Sequence, residues 1–169
     1  MKKQYLAGLI GLFGLITTAN AATPMMSTDW GPAACEAWNA NTTLTDELGD
    51  WVQNDGGKGY KAMQVYRMDC SDAPTVELQI SNKDGKAICT YGGAVKTTDL
   101  DKKVDYVMFA KTKNWKRMGS GKDGAMKAMT LGRLKFNGPK VEAMKNMGPF
   151  GEFLKLTGSV ESDQETCPK

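Results

Sequence analysis

The side chains that most often carry out chemistry at neutral pH are scarce in this sequence. The chain has no histidine, which removes the usual general base, the Ser-His-Asp arrangement and the commonest zinc ligand. Acidic pairs such as Asp46/Glu47 and Asp99/Asp101 stand in polar surroundings, whereas paired acid–base carboxylates need contrasting environments. We therefore expect no catalytic residue, no metal site and no cofactor, and we interpret the protein as not being an enzyme.

Four cysteines are the next candidates for chemistry: Cys35, Cys70, Cys89 and Cys167. Their spacing contains no C-x-x-C or C-x-x-C-H arrangement, so it gives no support to a redox-active dithiol or a c-type haem. An even number in an exported chain favours disulfides, of which three full pairings are possible. Cys70 and Cys89 are expected on the first and third strands of a meander, a poor distance for a bridge. Cys35 is therefore favoured to pair with one of those two.

The first 21 residues predict export. Lys2 and Lys3 give a positive start, Leu6–Ile16 is an apolar run, and Ala19-Asn20-Ala21 is a small-x-small cleavage site. The apolar run is shorter than the ~20 residues that a membrane-spanning helix needs. The short length and the Lys-Lys start are typical of bacterial signal peptides. We expect cleavage after Ala21 and a periplasmic or secreted location.

Net charge argues against nucleic acid as a partner. The full chain has 22 Lys and Arg and 19 Asp and Glu, and two of the lysines belong to the predicted signal. Residues 22–169 thus carry a net charge of +1 and show no basic stripe with interleaved aromatic residues, which a nucleic-acid surface would need. Their length suits a single domain with its own core.

A glycine-rich stretch, Gly119–Gly124, has the sequence GSGKDG. It resembles a phosphate-cradling loop only superficially, because it lacks the full spacing and the following Ser or Thr, and a short helix precedes it. We interpret it as a flexible connection. If a bound lipid carried a phosphate headgroup, this loop would be the first place to look for the contact.

Methionine is unusually frequent, with ten residues beyond the signal. Its long, unbranched and polarizable side chain adapts to guests of varied shape, although core packing is the ordinary role of any single Met. Thioethers also suit Cu(I), and Met126/Met129 and Met144/Met147 are each spaced i, i+3. These residues are mixed with Phe, Val and Leu, which favours an apolar surface over a metal site.

The order of predicted elements is helix, four strands, short helices, a strand and a closing helix. This order is typical of an α+β fold, a five-stranded and mostly antiparallel sheet covered largely on one face by helices. The connection through Thr112–Met129 allows a crossover, which would make the sheet mixed. The helix is expected within residues 44–54, and the strands at 60–70, 76–80, 87–91, 104–110 and 131–136.

The stretch from Asp123 to Leu156 combines the fifth strand with the closing helix. Leu134 and Phe136 alternate with charged residues, so one face of the strand is apolar. The apolar residues of the helix then follow at three-residue steps, on one predicted side: Val141, Met144, Met147 and Phe150. Gly148-Pro149 interrupts this pattern and predicts a kink or two short helices.

The segment Ala125–Leu156 resembles the sterol carrier protein 2 family (sterol-binding domain). The matching positions are Met129, Gly132, Leu134, Phe136, Gly138, Ala143, Met144 and Leu154. The resemblance extends backward, more weakly, to about Gly59, and Gly148-Pro149 departs from the family pattern. It implies the same architecture, with an apolar tunnel between the sheet and the helices. The expected organisation is a signal peptide at 1–21, an N-terminal extension and helix at 22–58, the sterol-carrier-like domain at 59–158, and a polar tail at 159–169 that is loose apart from Cys167.

From periodicity and the resemblance together we expect a periplasmic carrier of a sterol-like, hopanoid, quinone or fatty acyl lipid. The predicted wall residues are Tyr66, Met68, Met108, Met126, Met129, Phe136, Met144, Met147, Phe150 and Leu154. The expected partners are the hydrophobic lipid and a transient membrane or lipid-transport protein. Two alternatives stay open: a non-enzymatic accessory protein of the same fold with a filled core, and a Met-based Cu(I) binder.

Overall fold

The computed structural model describes residues 22–169, so the predicted signal peptide lies outside the described residues. The helices of the described part are α1 (Trp30–Ala40), α2 (Thr42–Glu47), α3 (Gly49–Gln53), α4 (Thr112–Gly119), α5 (Ala125–Thr130), α6 (Lys140–Lys145) and α7 (Met147–Ser159). The strands are β1 (Lys61–Arg67), β2 (Val76–Lys83), β3 (Lys86–Gly93), β4 (Tyr106–Ala110) and β5 (Lys135–Asn137). This α+β order confirms the fold class predicted from the sequence.

The five strands form one sheet in the order β3-β2-β1-β4-β5. β1 and β4 are parallel, and the other neighbouring pairs are antiparallel, so the sheet is mixed. The parallel pair needs a crossover, which the connection from β3 to β4 provides. The Thr112–Met129 connection, where the sequence allowed a crossover, instead joins the antiparallel strands β4 and β5. Met63 and Val65 of β1 and Met108 of β4 lie in the core with Trp38 and Phe153 of the helices. The helices therefore cover one face of the sheet.

Two disulfides link the elements of this core. Cys35 of α1 is bonded to Cys89 of β3, and Cys70 after β1 is bonded to Cys167 in the tail. The first bond is one of the two that the sequence favoured for Cys35. The second joins residues separated by 97 positions, so it closes a long loop, which the chain-entropy argument makes strongly stabilising.

The C-terminal tail is held by hydrogen bonds as well as by its disulfide, contrary to the expectation of a segment that is loose apart from Cys167. Arg67, at the end of β1, is only 2% exposed. Its guanidinium donates to the backbone carbonyls of Thr166 at 2.7 Å and Gln164 at 3.0 Å, and its Nε donates to Thr112 Oγ1 at 2.7 Å. A buried cation thus holds the tail through polar contacts that hydrophobic periodicity does not reveal.

The closing helix is divided, as the sequence predicted, but the break is at Asn146, two residues before Gly148. Pro149 is the third residue of α7, in the first turn, where a missing N–H leaves no intrahelical bond unmade. The direction of the chain therefore changes between Met144 and Met147, and residues on either side of the break face different surroundings.

None of the helices within residues 22–169 is long and apolar enough to cross a membrane.

The buried Arg67 generates a prediction about stability. Replacing it with Met leaves the carbonyls of Gln164 and Thr166 without their donor, and we expect a loss of about 2–4 kcal/mol in the free energy of unfolding. Urea denaturation followed by tryptophan fluorescence measures this loss. Lys86→Met is the matched control, because Lys86 pairs with Asp46 on the surface and such pairs contribute at most about 1 kcal/mol. Equal losses in the two variants would contradict the anchoring role of Arg67.

Candidate functional site

An apolar cavity lies between the β4–β5 edge of the sheet and helices α5, α6 and α7. Its volume is about 20 Å³. The lining side chains are all apolar: Met108, Ala125, Met129, Leu134, Phe136, Ala143, Met147, Phe150 and Leu154. Met129, Phe136 and Met147 are only partly buried, so the lining reaches the protein surface at these three residues.

Secondary structure explains why these residues converge. Met108 and Phe136 are directly paired across β4 and β5, so their side chains share one face of the sheet. Phe150 and Leu154 are spaced i, i+4 and lie on the same side of α7. Phe150 also packs edge-on against Trp51, with ring centroids 5.7 Å apart. Aromatic packing therefore holds Phe150 in its place in the lining.

The cavity is too small for a lipid in this conformation. A volume of about 20 Å³ has room for roughly one water molecule, whereas ligand pockets of small molecules usually measure ~300 Å³ or more. Three of the lining residues, Met108, Met129 and Met147, are methionines, whose flexible side chains can repack. A larger guest would therefore require both this repacking and a shift of the covering helices.

Two other depressions in the described residues are wider but have a mixed lining. One, of about 210 Å³, lies against Lys102, Asp105 and Asn137. The other, of about 220 Å³, lies between the two ends of the described chain, near Asp29 and Lys169. Because charged and amide groups border both, neither offers the continuous apolar lining that the cavity under α6 and α7 has.

Six of the ten residues predicted as wall residues lie around the cavity, and four do not. Tyr66 stacks on Phe109, with ring centroids 4.9 Å apart, on the face of the sheet opposite the helices. Met68 is 40% exposed beyond the end of β1, and Met126 and Met144 are 50% and 58% exposed. The sequence prediction did not include Ala125, Leu134 and Ala143, although Leu134 stood in the alternating strand pattern.

The two methionine pairs considered for Cu(I) are each divided between the cavity and the surface. Met129 and Met147 line the cavity, whereas Met126 and Met144 are at least half exposed. Within residues 22–169, no group of three or more His, Cys, Asp or Glu side chains is arranged to hold a metal ion.

A partly buried polar cluster anchors α6, the helix that carries Ala143 over the cavity, at one point. The Glu142 carboxylate accepts hydrogen bonds from Lys61 Nζ at 2.9 Å, from Asn54 Nδ2 at 2.7 Å and from the Tyr106 hydroxyl. Trp51 Nε1 donates to the same hydroxyl at 2.9 Å. The Lys61 side chain is fully buried, and that of Glu142 is 19% exposed. This cluster, Trp51–Asn54–Lys61–Tyr106–Glu142, is called the Glu142 cluster below.

Burial shifts the pKa values of two members of this cluster, Tyr106 and Lys61, in opposite directions. It raises the pKa of Tyr106, and the Glu142 carboxylate that accepts its hydrogen bond raises that pKa further. Burial lowers the pKa of Lys61, and the bond to Glu142 opposes that change. The phenol therefore stays a donor at neutral pH, and the Glu142 carboxylate favours the charged form of the buried Lys61.

The glycine-rich loop contains its own anion. The Asp123 carboxylate, with a side chain 1% exposed, pairs with Arg117 at 2.7 Å, Lys127 at 2.9 Å and Arg133 at 2.6 Å. These cations hold the pKa of Asp123 far below its usual range, and the Arg117 guanidinium has the largest effect. Since Asp123 already occupies the centre of these cations, they are not arranged around a vacant phosphate cradle.

Most of the chain matches a known family. The model of the SCP-2 sterol transfer family matches residues 35–151, which include all the cavity-lining residues except Leu154. A conserved hypothetical protein of Thermus thermophilus, described as possibly a sterol carrier protein, has a solution structure that is 18% identical with a TM-score of 0.51. The match covers 85% of this chain and 94% of that one. A crystal structure of sterol carrier protein 2 is also 18% identical, with a TM-score of 0.50, covering 80% of this chain and 98% of the other.

No curated protein sequence matches the chain. At 18% identity, the two structures establish a shared fold.

The Glu142 cluster predicts a non-additive effect of two substitutions. Glu142→Leu leaves the Lys61 ammonium buried without its carboxylate partner, and we expect the free energy of unfolding at pH 7 to fall by about 3–5 kcal/mol. Lys61→Met combined with Glu142→Leu removes both charges and should restore much of that loss. Urea unfolding of both variants tests this. A double variant no more stable than Glu142→Leu would contradict the assignment of the pair.

Asp123 predicts a pH dependence. Because its folded pKa is lowered, its stabilising effect is present above the unfolded value of about 3.9 and is lost as the pH falls through the folded pKa. Asp123→Asn should therefore be less stable than the parent at pH 7, and this difference should shrink towards about pH 2.5. Urea midpoints at neutral, intermediate and acidic pH measure the change. A difference that stays constant with pH would refute the pairing of Asp123 with its three cations.

Proposed function

This chain belongs to the SCP-2 sterol transfer family, and we propose from that membership that it carries one hydrophobic lipid in the cavity under α6 and α7. The observation that carries the proposal is the convergence of nine apolar side chains, with no polar group among them, between the sheet and the helices. A sterol-like, hopanoid, quinone or fatty acyl molecule has the apolar surface that such a lining would shield from water.

Helix α6 is the element that can move to admit the guest. Of its six residues only Ala143 is buried, so lifting the helix exposes little apolar surface. The Glu142 cluster anchors it at one point, and the break at Asn146 separates it from α7. A displacement of α6 about these two points, with repacking of Met129 and Met147, would widen the cavity.

The energetics suit reversible carriage. Burial of about 400 Å² of guest surface at ~25 cal/mol per Å² gives about 10 kcal/mol. Immobilisation of the guest costs about 4 kcal/mol at the low end of accepted values. The remaining ~6 kcal/mol corresponds to a dissociation constant of roughly 40 µM, which permits both uptake and release.

The proposed carrier is periplasmic and not catalytic. The two disulfides suit an oxidising compartment, and the first 21 residues have the pattern of an export signal. The absence of histidine from the sequence and the wholly apolar lining of the cavity support a binding role without an acid or base.

A second candidate function is an accessory protein of the same fold that acts through a protein partner. The small volume of the cavity, about 20 Å³, favours it, because a filled core would need no guest. The two candidates differ in one measurable property, which is the ability of the isolated protein to take up a lipid.

Filling the cavity should abolish this uptake. We expect Ala143→Phe to weaken binding of cis-parinaric acid at least tenfold, because the new ring occupies the space that the guest needs. Met68→Phe, at a 40% exposed position beyond the end of β1, is the matched control and should bind as the parent does. Energy transfer from tryptophan to the probe measures binding, and far-UV circular dichroism verifies folding.

Overpacking of a core can itself destabilise a protein by about 1–3 kcal/mol, so Met147→Ala provides a second, opposite change. It enlarges the cavity and should leave probe binding equal or stronger. Parent protein that binds no probe would favour the accessory role, and unchanged binding by Ala143→Phe would place the guest elsewhere.

A further inference from the structure

Charge is distributed very unevenly along the chain. Residues 111–145, which contain α4, α5, β5 and α6, carry ten Lys and Arg but only two Asp and Glu, a net charge of +8. The remainder of residues 22–169 carries ten Lys and Arg and seventeen Asp and Glu, a net charge of −7. The overall charge of +1 therefore conceals one strongly basic region beside the cavity.

The two acidic residues of this region face inward. Asp123 is paired with Lys127 and with both arginines of the region, and Glu142 is paired with the buried Lys61. The charges left at the surface are consequently lysines. On or beside α5, β5 and α6, four of these are exposed without an ion-pair partner among the described residues: Lys122, Lys135, Lys140 and Lys145.

Exposed apolar side chains stand among these lysines. Met126 is 50% exposed, Leu131 53%, Val141 71% and Met144 58%. Met126 and Met144 directly follow Ala125 and Ala143, which line the cavity, so the same two short helices present one residue inward and the next outward. The surface formed by these four apolar residues with Lys122, Lys140 and Lys145 is called the α5–α6 rim. Lys135 is not part of it, because its partner across β4 and β5 is Phe109, on the face of the sheet opposite the helices.

We propose that the α5–α6 rim docks on an anionic phospholipid bilayer, so that the lipid passes between membrane and cavity without crossing water. This inference rests on the proposed carrier function, and it assigns that function a membrane surface. The lysines would interact with the anionic headgroups, and the four apolar side chains would enter the boundary between headgroups and acyl chains.

The chemistry of the rim favours a bilayer over an acidic protein. Lysine is a flexible point charge without the fixed planar geometry that arginine offers to a carboxylate, and the two arginines here are already paired. Its long stem also lets the ammonium follow a fluid headgroup layer while the apolar neighbours go deeper. The partly buried Met129 and Met147 of the cavity lining lie on α5 and α7, beside the same rim.

Vesicle co-sedimentation tests the proposal. The parent protein should bind vesicles of phosphatidylcholine with about 30% phosphatidylglycerol and should bind pure phosphatidylcholine vesicles at least tenfold more weakly. Raising NaCl from about 50 to about 500 mM should weaken binding strongly, because salt screens exposed charges. Since each basic residue near an anionic surface strengthens binding by roughly fivefold, Lys140→Glu with Lys145→Glu should reduce it by about twentyfold or more.

Matched variants separate the contributions. Lys83→Glu with Lys86→Glu makes the same charge change on the β2–β3 hairpin, at the opposite edge of the sheet, and should keep most of the binding. Val141→Ser with Met144→Ser retains every charge and should lower the residual binding at high salt several-fold. Equal losses of vesicle binding in the two charge variants would overturn the proposal. A parent protein that does not bind anionic vesicles would also overturn it, and would point to an acidic protein or a second copy of the chain as the partner of the rim.

Membrane docking by the rim and lipid binding in the cavity predict different results for the variants. Variants of Lys140 and Lys145 should still take up cis-parinaric acid from solution, whereas Ala143→Phe should still bind anionic vesicles. A rim variant that loses vesicle binding but retains probe uptake would support the proposal. Vesicle binding that persists in the rim variants would refute it even if the protein is a carrier.

Discussion

The placement of the cavity depends on a single carboxylate. Glu142 reaches from α6 to the fully buried Lys61 of β1 and the Tyr106 hydroxyl of β4, and these contacts join the short helix to the sheet. A buried ammonium without a partner is costly, so the helix is positioned more firmly by this polar point than by its few buried apolar atoms. The apolar space under Ala143 therefore does not have to hold the helix in place, because the polar contacts of Glu142 do so.

In this arrangement, one part of the protein supports the cavity and another part can change shape. Aromatic contacts of Trp51 with Tyr106 and Phe150 support the lining at Phe150, while methionines and two alanines form much of the rest of the lining. The partly buried residues Met129 and Met147 lie at its boundary with the surface. The protein thus combines a sheet that disulfides join to α1 and to the C-terminal tail with a covering helix that has little of its own surface buried. Such a division is suited to a guest whose shape varies.

The sequence predicts the fold and six of the residues that line the cavity. The wrong predictions have physical causes. Both faces of β1 carry apolar residues, so periodicity does not decide whether the face of Val65 or the face of Tyr66 meets the helices. The prediction placed Tyr66 at the cavity, whereas this residue lies on the face opposite the helices. The three-residue spacing placed Met144 with Met147 and Phe150, but the break at Asn146 resets the helical phase and leaves Met144 exposed.

The small residues of the lining and the long-range polar contacts could not be predicted from the local sequence. Ala125 and Ala143 line the cavity because they are small, a property that a search for bulky apolar residues passes over. The pairing of Lys61 with Glu142 joins residues 81 positions apart, and Arg67 anchors the tail across 97 and 99 positions. Such contacts follow from the topology of the sheet and cannot be derived from spacing along the chain.

The most direct test of the account is native mass spectrometry of the protein expressed with residues 1–21 in place and isolated gently from the periplasm, the compartment proposed for it. The account predicts a population whose mass exceeds that of the disulfide-bonded chain by one hydrophobic molecule, which organic extraction releases. Only the mass of the bare chain, in protein that is folded and has never met detergent, would contradict it.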